Sequence, residues 1–540
     1  MKVAVIGSGI SGMVAARALA DGMAGVADGR APDDSRALAD SIEVDLFESS
    51  SRLGGKLSSA EFGGTSVDTG PDSFLARRPE AVKLCEELGI LDELVAPGAK
   101  GAFIVIENRL RKIPSDLALG VPVRLGSLIR SVVEHRILTL RGMSRAAAGY
   151  FFPVLPAALS CDSGYQASLP SGEIKDVASH NASSNGSLAA PDLDYDVDLG
   201  RLIEHHMGRE VVVKLADPLI GGIHAGSIYG MSAAALFPPI LQAGRQQGSL
   251  AVNLSRAMSG SQGASTGKRQ PESRRGTAEM QKSSQPPTFY ALKGGMASLV
   301  GSLKRDLLQK GVTIHENADV VALEKTSKGW TLILDGGVDK ANYSGIVLAI
   351  PAYRAASLVE SFSESAARLL RSIAYSSVGV ITLHTTAVSA NDLPEGTGYI
   401  VPSDGRRLVS ACTFLSKKWP HIAVQDGVLL RASTGRYGDS RHLSMDDEQL
   451  IDAVVGELER DLKLAVEPKD ALVVRWENAF PQYRVGHLSL VAQVAKEVRE
   501  GGPVAVAGAA YGGVGIPACI KSGYQAAYSL LDQMKELHSA

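Results

Sequence analysis

Residues 7–12 read Gly-Ser-Gly-Ile-Ser-Gly, and the segments on either side make this hexapeptide restrictive. Before it stands the apolar, β-branched run Lys2–Ile6, which reads as a strand. After it, Ser11–Ala20 carries the small residues Ala15, Ala16 and Ala18 and reads as a helix. Strand, glycine turn and helix in that order open a Rossmann-type dinucleotide-binding unit. Gly7 is expected to make the tight turn and Gly9 to let the backbone approach a pyrophosphate. Gly12 is expected to let the helix pack closely on the strand. The helix N-terminus offers N–H groups and partial positive charge to the phosphates.

Such a unit needs an acidic residue ending its second strand, placed to bond a ribose hydroxyl. Glu48 closes the run IEVDLFE, but it lies 36 positions after Gly12, well over the usual ~20. The segment Asp21–Asp40, rich in Ala, Gly and Asp, accounts for the excess as an inserted loop. Two further stretches, residues 160–198 and 259–288, are Ser- and Gly-rich, lack apolar periodicity and read as flexible surface insertions.

Elsewhere short apolar runs alternate with helical stretches, which predicts an α/β fold. Strands are expected at Lys2–Ile6, Glu43–Glu48, Thr313–Glu316, Gly345–Ile350 and Val504–Ala507. Helices are expected at Ser11–Ala20, Pro79–Leu88, Met296–Lys310 and Lys521–Glu536. At 540 residues the chain exceeds one hydrophobic core. A net charge of −3 gives no electrostatic reason to expect nucleic acid. The four cysteines are far apart and form no CxxC pair, which argues against a disulfide framework and a Cys-rich zinc site. His205, His206 and His224 lack the spacing of a metal site, so no metal is expected. No stretch reaches the ~18–20 apolar residues that span a bilayer. A cytoplasmic protein is expected, with peripheral membrane contact left open.

Glu48 opens the segment Glu-Ser-Ser-Ser-Arg-Leu-Gly-Gly-Lys. It resembles the E-x-x-x-R-x-G-G-[KR] signature of the amine-oxidase-like flavoprotein superfamily. Its glycines permit close backbone approach, while Arg52 and Lys56 are expected to bring positive charge toward the pyrophosphate. The later segment GPDSF (Gly70–Phe74), followed by Arg77 and Arg78, looks like the bacterial protoporphyrinogen and coproporphyrinogen oxidases. KLADPLIGGIHAGS, FYALKGGMASLV, VLAIPAY, SACTFLSKKWPH, RWENAFPQYRVGH and GAAYGGVGIPACIKSG continue the resemblance in order. It covers nearly everything outside the three insertions. Phe480 stands where a Met is common and Ala518 where an Asp is common, which puts only fine packing in doubt.

The resemblance implies a Rossmann-type FAD-binding domain with a mixed-sheet substrate domain and a helical subdomain. The boundaries expected are 1–75, 290–352 and 474–540 for FAD, 76–109, 221–289 and 353–473 for substrate, and 110–220 for the helices. It places FAD, held non-covalently, against Gly7, Ser8, Gly9, Ile10, Ser11, Gly12, Glu48, Ser49, Arg52, Gly55 and Lys56. Gly70, Pro71, Asp72, Ser73, Val320, Trp476, Val514, Gly515 and Ile516 complete the expected cofactor set. Arg78 is the expected substrate contact, pairing with a propionate. No side chain can be named as general base.

The implied reaction takes a hydride from a meso carbon of a porphyrinogen to flavin N5, with molecular oxygen as final acceptor, three times over. Coproporphyrinogen III is the expected substrate and protoporphyrinogen IX the alternative. Two remoter readings are another amine-oxidase-like flavoenzyme, and a non-enzymatic porphyrin carrier that hands its ligand to a ferrochelatase.

Overall fold

The computed structural model describes residues 1–22, 42–151, 196–246, 248–263, 287–339, 341–403 and 405–539. At its centre lies a parallel five-stranded sheet in the order Thr313–His315, Glu43–Phe47, Lys2–Ile6, Gly345–Leu348, Val504–Val506. All five are strands expected from the sequence. In register, Val5 stands between Leu46 and Val347, and Val347 in turn pairs with Ala505. The strand alternation sorts side chains to two buried faces. Val3 and Val5 join one core with Met13, Leu303 and Ile520, while Ala4 and Ile6 join another with Leu332, Ile346 and Val498.

The helix Ile10–Ala20 starts directly after the glycine turn, and Ile516–Ser539 lies along it. That contact is close: a Cβ on Gly523 would stand 2.3 Å from the Ser11 carbonyl oxygen. The second helix begins five residues before its expected start at Lys521, because the Gly512–Gly515 turn feeds straight into it.

A second, mixed sheet of seven strands orders Pro468–Pro481, Tyr375–Thr385, Val428–Thr434, Val409–Phe414, Gly398–Ile400, Phe103–Ile106 and Arg109–Lys112. Its pairs are antiparallel except Gly398–Ile400 with Phe103–Ile106. Between Leu125 and Gly263 the described chain is chiefly helical, with Leu128, Leu202, Leu215, Ile240 and Leu254 in a core of its own. One turn there, Val212–Gly221, is a π-helix containing Pro218. Such wide turns cost hydrogen-bond geometry and recur at functional sites.

Most of the three expected insertions lie outside the described residues. Two of their edges depart from the expectation. The helix Leu250–Gly263 runs into the third segment, and Asp196 and Asp198 at the end of the second are anchored. Asp198 caps the helix Leu199–Met207 through the Arg201 amide at 2.9 Å, and Asp196 accepts from the Ala234 and Gly486 amides at 3.0 and 2.8 Å. Polar composition there reflects capping rather than flexibility.

Candidate cofactor and substrate cavity

A cavity of about 1020 Å³ opens beside the C-terminal ends of Lys2–Ile6 and Gly345–Leu348 and continues across the face of the seven-stranded sheet. At the parallel sheet the glycines divide the work as expected. Gly7 has φ +99°, which L side chains rarely adopt, and its Cβ would lie 2.6 Å from the Ala349 carbonyl. A Cβ on Gly12 would stand 1.8 Å from the Gly7 oxygen. Gly9 lines the cavity and has no protein atom within 4 Å of where its Cβ would be. That open place beside a helix N-terminus fits a pyrophosphate.

The turn after Glu48 packs on the first. The Gly54 amide donates to the Ser8 carbonyl at 2.9 Å, and Gly55 places its Cβ position 3.3 Å from Gly9 Cα. Glu48 Oε2 accepts from the Ser8 hydroxyl at 2.5 Å and Oε1 from the Ser50 amide and hydroxyl at 2.9 and 2.8 Å. Burial pushes this carboxyl up, but those hydrogen bonds outweigh it and hold the group below its ordinary range. Glu48 is therefore an ionised acceptor at neutral pH. Lys56, exposed to the cavity though enclosed by protein, has its ammonium pKa lowered by desolvation.

Arg52 differs from expectation. It lines the cavity, yet its guanidinium donates to the carbonyls of Leu53, Leu57 and Gly55 at 3.1, 3.2 and 2.7 Å. Its charge staples its own loop rather than reaching outward.

Ser8, Ile10, Ser11, Ser49, Gly70, Pro71, Ser73, Val320, Trp476, Val514, Gly515 and Ile516 all line the same cavity. Trp476 is fixed by its indole N–H on the Thr69 carbonyl at 2.8 Å. Three expected contacts do not line it. Gly12 faces the strand, where its lack of a side chain is needed. Asp72 turns into a buried cluster, accepting from Lys418 at 2.8 Å and the Trp419 indole at 3.0 Å, with Arg431 at 4.0 Å. Burial opposes that charge, but Lys418 and Arg431 hold the carboxyl well below its usual range. Arg431 also donates to the Gly70 carbonyl, so the Asp72 cluster sets the turn that Gly70 and Pro71 present. Arg78 is exposed at the N-cap of Pro79–Glu87, where its extended backbone precedes Pro79, and it lies outside the cavity wall.

Sequence reasoning missed several lining residues. Arg431 and Ser433 alternate along Val428–Thr434, a signal that period-2 inspection could have found. Arg354, which holds Asp319 through two 2.8 Å bonds, and Arg436 carry no local signal. Nor do Tyr483 and His487, which stack at 4.1 Å behind the Gly508–Ala510 lining. Tyr483 donates to the Ala509 carbonyl and His487 Nε2 to the Ala510 carbonyl at 2.9 Å. Burial pushes His487 down to about 4, so the ring is neutral with its proton on Nε2. His487→Ala leaves that carbonyl unpaired, and a thermal melt is expected to show a loss of about 1–3 kcal/mol. A wild-type melting curve would mean that the turn holds itself. Among the described residues no helix is long and apolar enough to cross a membrane.

The parallel sheet, the double glycine turn and the acid between them define a Rossmann-type dinucleotide-binding protein, and the family match makes it a flavoprotein. Residues 10–531 match the family described as "Flavin containing amine oxidoreductase", and the chain belongs to it. It is 28% identical over 484 residues to the coproporphyrinogen III oxidase of Bacillus subtilis (strain 168), covering 89% of this chain and 90% of that protein. The coproporphyrinogen III oxidase of Mycobacterium leprae (strain TN) is 30% identical over 530 residues, 97% of each chain. A solved structure from Exiguobacterium sp. 255-15, provisionally named a protoporphyrinogen oxidase, superposes with TM-score 0.75 at 26% identity, over 98% of this chain and 99% of that one.

Proposed function

We propose that this chain is an FAD-dependent oxidase converting coproporphyrinogen III to coproporphyrin III, with molecular oxygen as acceptor. The observation that carries the reading is continuity: one cavity joins the phosphate-binding turns to a broad sheet floor that includes Val378 and Val380. A nucleotide alone needs the first part, and a macrocycle beside its flavin needs both. Full-length similarity to enzymes named for this substrate supports it.

In this reading the amides of Ile10 and Ser11 meet the pyrophosphate and Glu48 accepts ribose hydroxyls. Trp476 walls the cavity beside the Gly70 turn, where the Asp72 cluster keeps the backbone in place. Bound FAD supplies a two-electron acceptor that oxygen regenerates. The apolar floor packs the macrocycle and excludes water from the reacting carbon. FAD binding is assigned to 1–75, 290–352 and 474–540, and substrate binding largely to 353–473. The π-helix Val212–Gly221, at the end of the 110–220 helices, and the segment just after it close the far wall.

FAD is held without a covalent bond. Cys519, the described cysteine on the cavity wall, has its thiol pushed up to about 11 by burial, which leaves it a poor nucleophile. The purified protein is expected to be yellow and to release free FAD on acid precipitation. Mixed with coproporphyrinogen without oxygen and then with it, it should bleach, recover its colour and generate porphyrin fluorescence. Flavin retained in the precipitate would overturn non-covalent binding, and an FAD-loaded protein inert to both porphyrinogens would overturn the function.

A further inference from the structure

We propose that Ser403, Ser410, Ser433 and Arg436 form the subsite for the carboxylates by which a tetracarboxylate porphyrinogen differs from a dicarboxylate one. This rests on the function proposed above and names what would give it its substrate preference.

The four residues share one stretch of cavity wall, on the floor formed by the seven-stranded sheet. Ser410 and Ser433 belong to adjacent strands, and the Ser410 hydroxyl donates to the Ser433 carbonyl at 3.0 Å. The pairing slips between Val409 and Ala411, so the Ser410 hydroxyl lies on the strand partner instead of alternating away. Ser403 follows two residues after Val401, whose amide bonds the Ser410 carbonyl at 2.9 Å. Together the serines make a hydroxyl ledge across two adjacent strands and the loop after a third.

Arg436 is placed at the end of this ledge by two constraints. Gly435 has φ +81°, and a Cβ on it would stand 2.3 Å from the fully buried His442 ring, so the strand must end and turn there. The next amide, Tyr437, donates to the Ala225 carbonyl at 2.7 Å, which ties the turn to the segment after the π-helix. Arg436 therefore stands where the sheet floor meets the helical wall.

The remaining cations of the wall belong to the cofactor end. Arg52 and Lys56 follow Glu48, Arg354 clamps Asp319 beside Val320, and Arg431 lies under Gly70. A carboxylate carried on the far rim of a macrocycle meets Arg436 and the serines. Three acids also face this region. Asp439 is held by Arg441 at 2.7 Å, Asp217 accepts the Ile228 amide at 2.7 Å, and Glu477 lines the cavity. Burial pushes the Asp217 carboxyl up, which reduces its competition for the guanidinium.

The chemistry discriminates in one direction. An ionised carboxylate entering this wall keeps its hydrogen bonds through the guanidinium and the Ser403 and Ser433 hydroxyls, while Ser410, its proton on the Ser433 carbonyl, fixes the ledge. A vinyl group would instead cover those donors with nothing to accept from them.

The test uses the FAD-loaded enzyme and compares kcat/KM for coproporphyrinogen with that for protoporphyrinogen. Arg436→Met is expected to lower this ratio roughly tenfold to a hundredfold, chiefly through KM, the value of one charge-assisted hydrogen bond. Arg436→Lys should recover part of it, keeping charge without the bidentate fork. Ser410→Ala combined with Ser433→Ala should move the ratio in the same direction by a smaller factor, and it serves if Arg436→Met does not fold. Titration with coproporphyrin and protoporphyrin, followed by absorbance, should show the same split in Kd without turnover. A ratio within about twofold of wild type in both variants, or equal losses for both porphyrins, would overturn the subsite. An inert wild-type enzyme that still binds coproporphyrin through Arg436 would sink only the proposed function.

Discussion

Gly9→Val is expected to give a folded, colourless protein, whereas Gly12→Val is expected to give no stable protein at all. Both residues belong to one hexapeptide, and a motif match treats them alike. Their surroundings do not. A Cβ on Gly9 meets no protein atom within 4 Å, so the apoprotein has room for it. In the proposed reading the space it fills takes the pyrophosphate, so FAD affinity should fall at least roughly a hundredfold. A Cβ on Gly12 would lie 1.8 Å from the Gly7 oxygen, an overlap with backbone that no rotamer change relieves. Separating the helix from its strand opens the main core, which exceeds the ~4–5 kcal/mol that marks a severe substitution. Thermal melts of the two apoproteins and a fluorescence titration with FAD check both statements. Wild-type flavin affinity in Gly9→Val would show that the phosphates do not cross this turn.

Asp72→Ala is expected to destabilise the protein by about 3–5 kcal/mol, since it leaves Lys418 and Arg431 buried without their common carboxylate. The carboxyl titrates below its unfolded value of about 3.9. Its contribution is therefore fully present above that pH and is lost as pH falls through the folded-state pKa. Urea midpoints of wild type and variant should differ by a constant amount from neutral pH to about 5, then converge in stronger acid. Asp68 titrates in the opposite sense. Burial raises it to about 6, so its charged form costs stability above that pH, and the cost disappears as pH falls toward the unfolded value. A variant whose deficit persists undiminished into strong acid would show that the cluster is held by packing and not by charge.

The five central strands and the tasks of Gly7 and Gly12 were legible because they depend on neighbours in sequence. Apolar runs bounded by turns fix the strands, and a GxGxxG turn between strand and helix leaves little choice of geometry. The seven-stranded sheet was largely invisible. Tyr375–Thr385 is buried on both faces through most of its length and shows no alternation, and its partners come from Val428 and Pro468 onward. Arg52 lines the cavity as expected of a site residue, but its bonds to its own loop could not be read from the sequence, because the loop's carbonyls come together only in the fold. Arg78 lies outside the cavity wall, a placement its neighbours in sequence do not decide. Arg436 could not be found at all: its position follows from a buried histidine six residues later.

The central strand Lys2–Ile6 borders Gly345–Leu348, which borders Val504–Val506, and the Ser11 hydroxyl donates to the Cys519 carbonyl at 2.8 Å. During synthesis, then, the glycine turn waits while the chain advances 508 positions from Ser11 to Cys519 before the helix that closes it is made. At ~5–20 residues per second that interval is on the order of half a minute to two minutes. Through it Lys2–Ile6 can already pair with Glu43–Phe47, but the turn after it lacks its closing helix. Closure of the turn therefore waits for Ile516–Ser539, and until then the edge of Gly345–Leu348 that Val504–Val506 will cover stays open to pairing elsewhere.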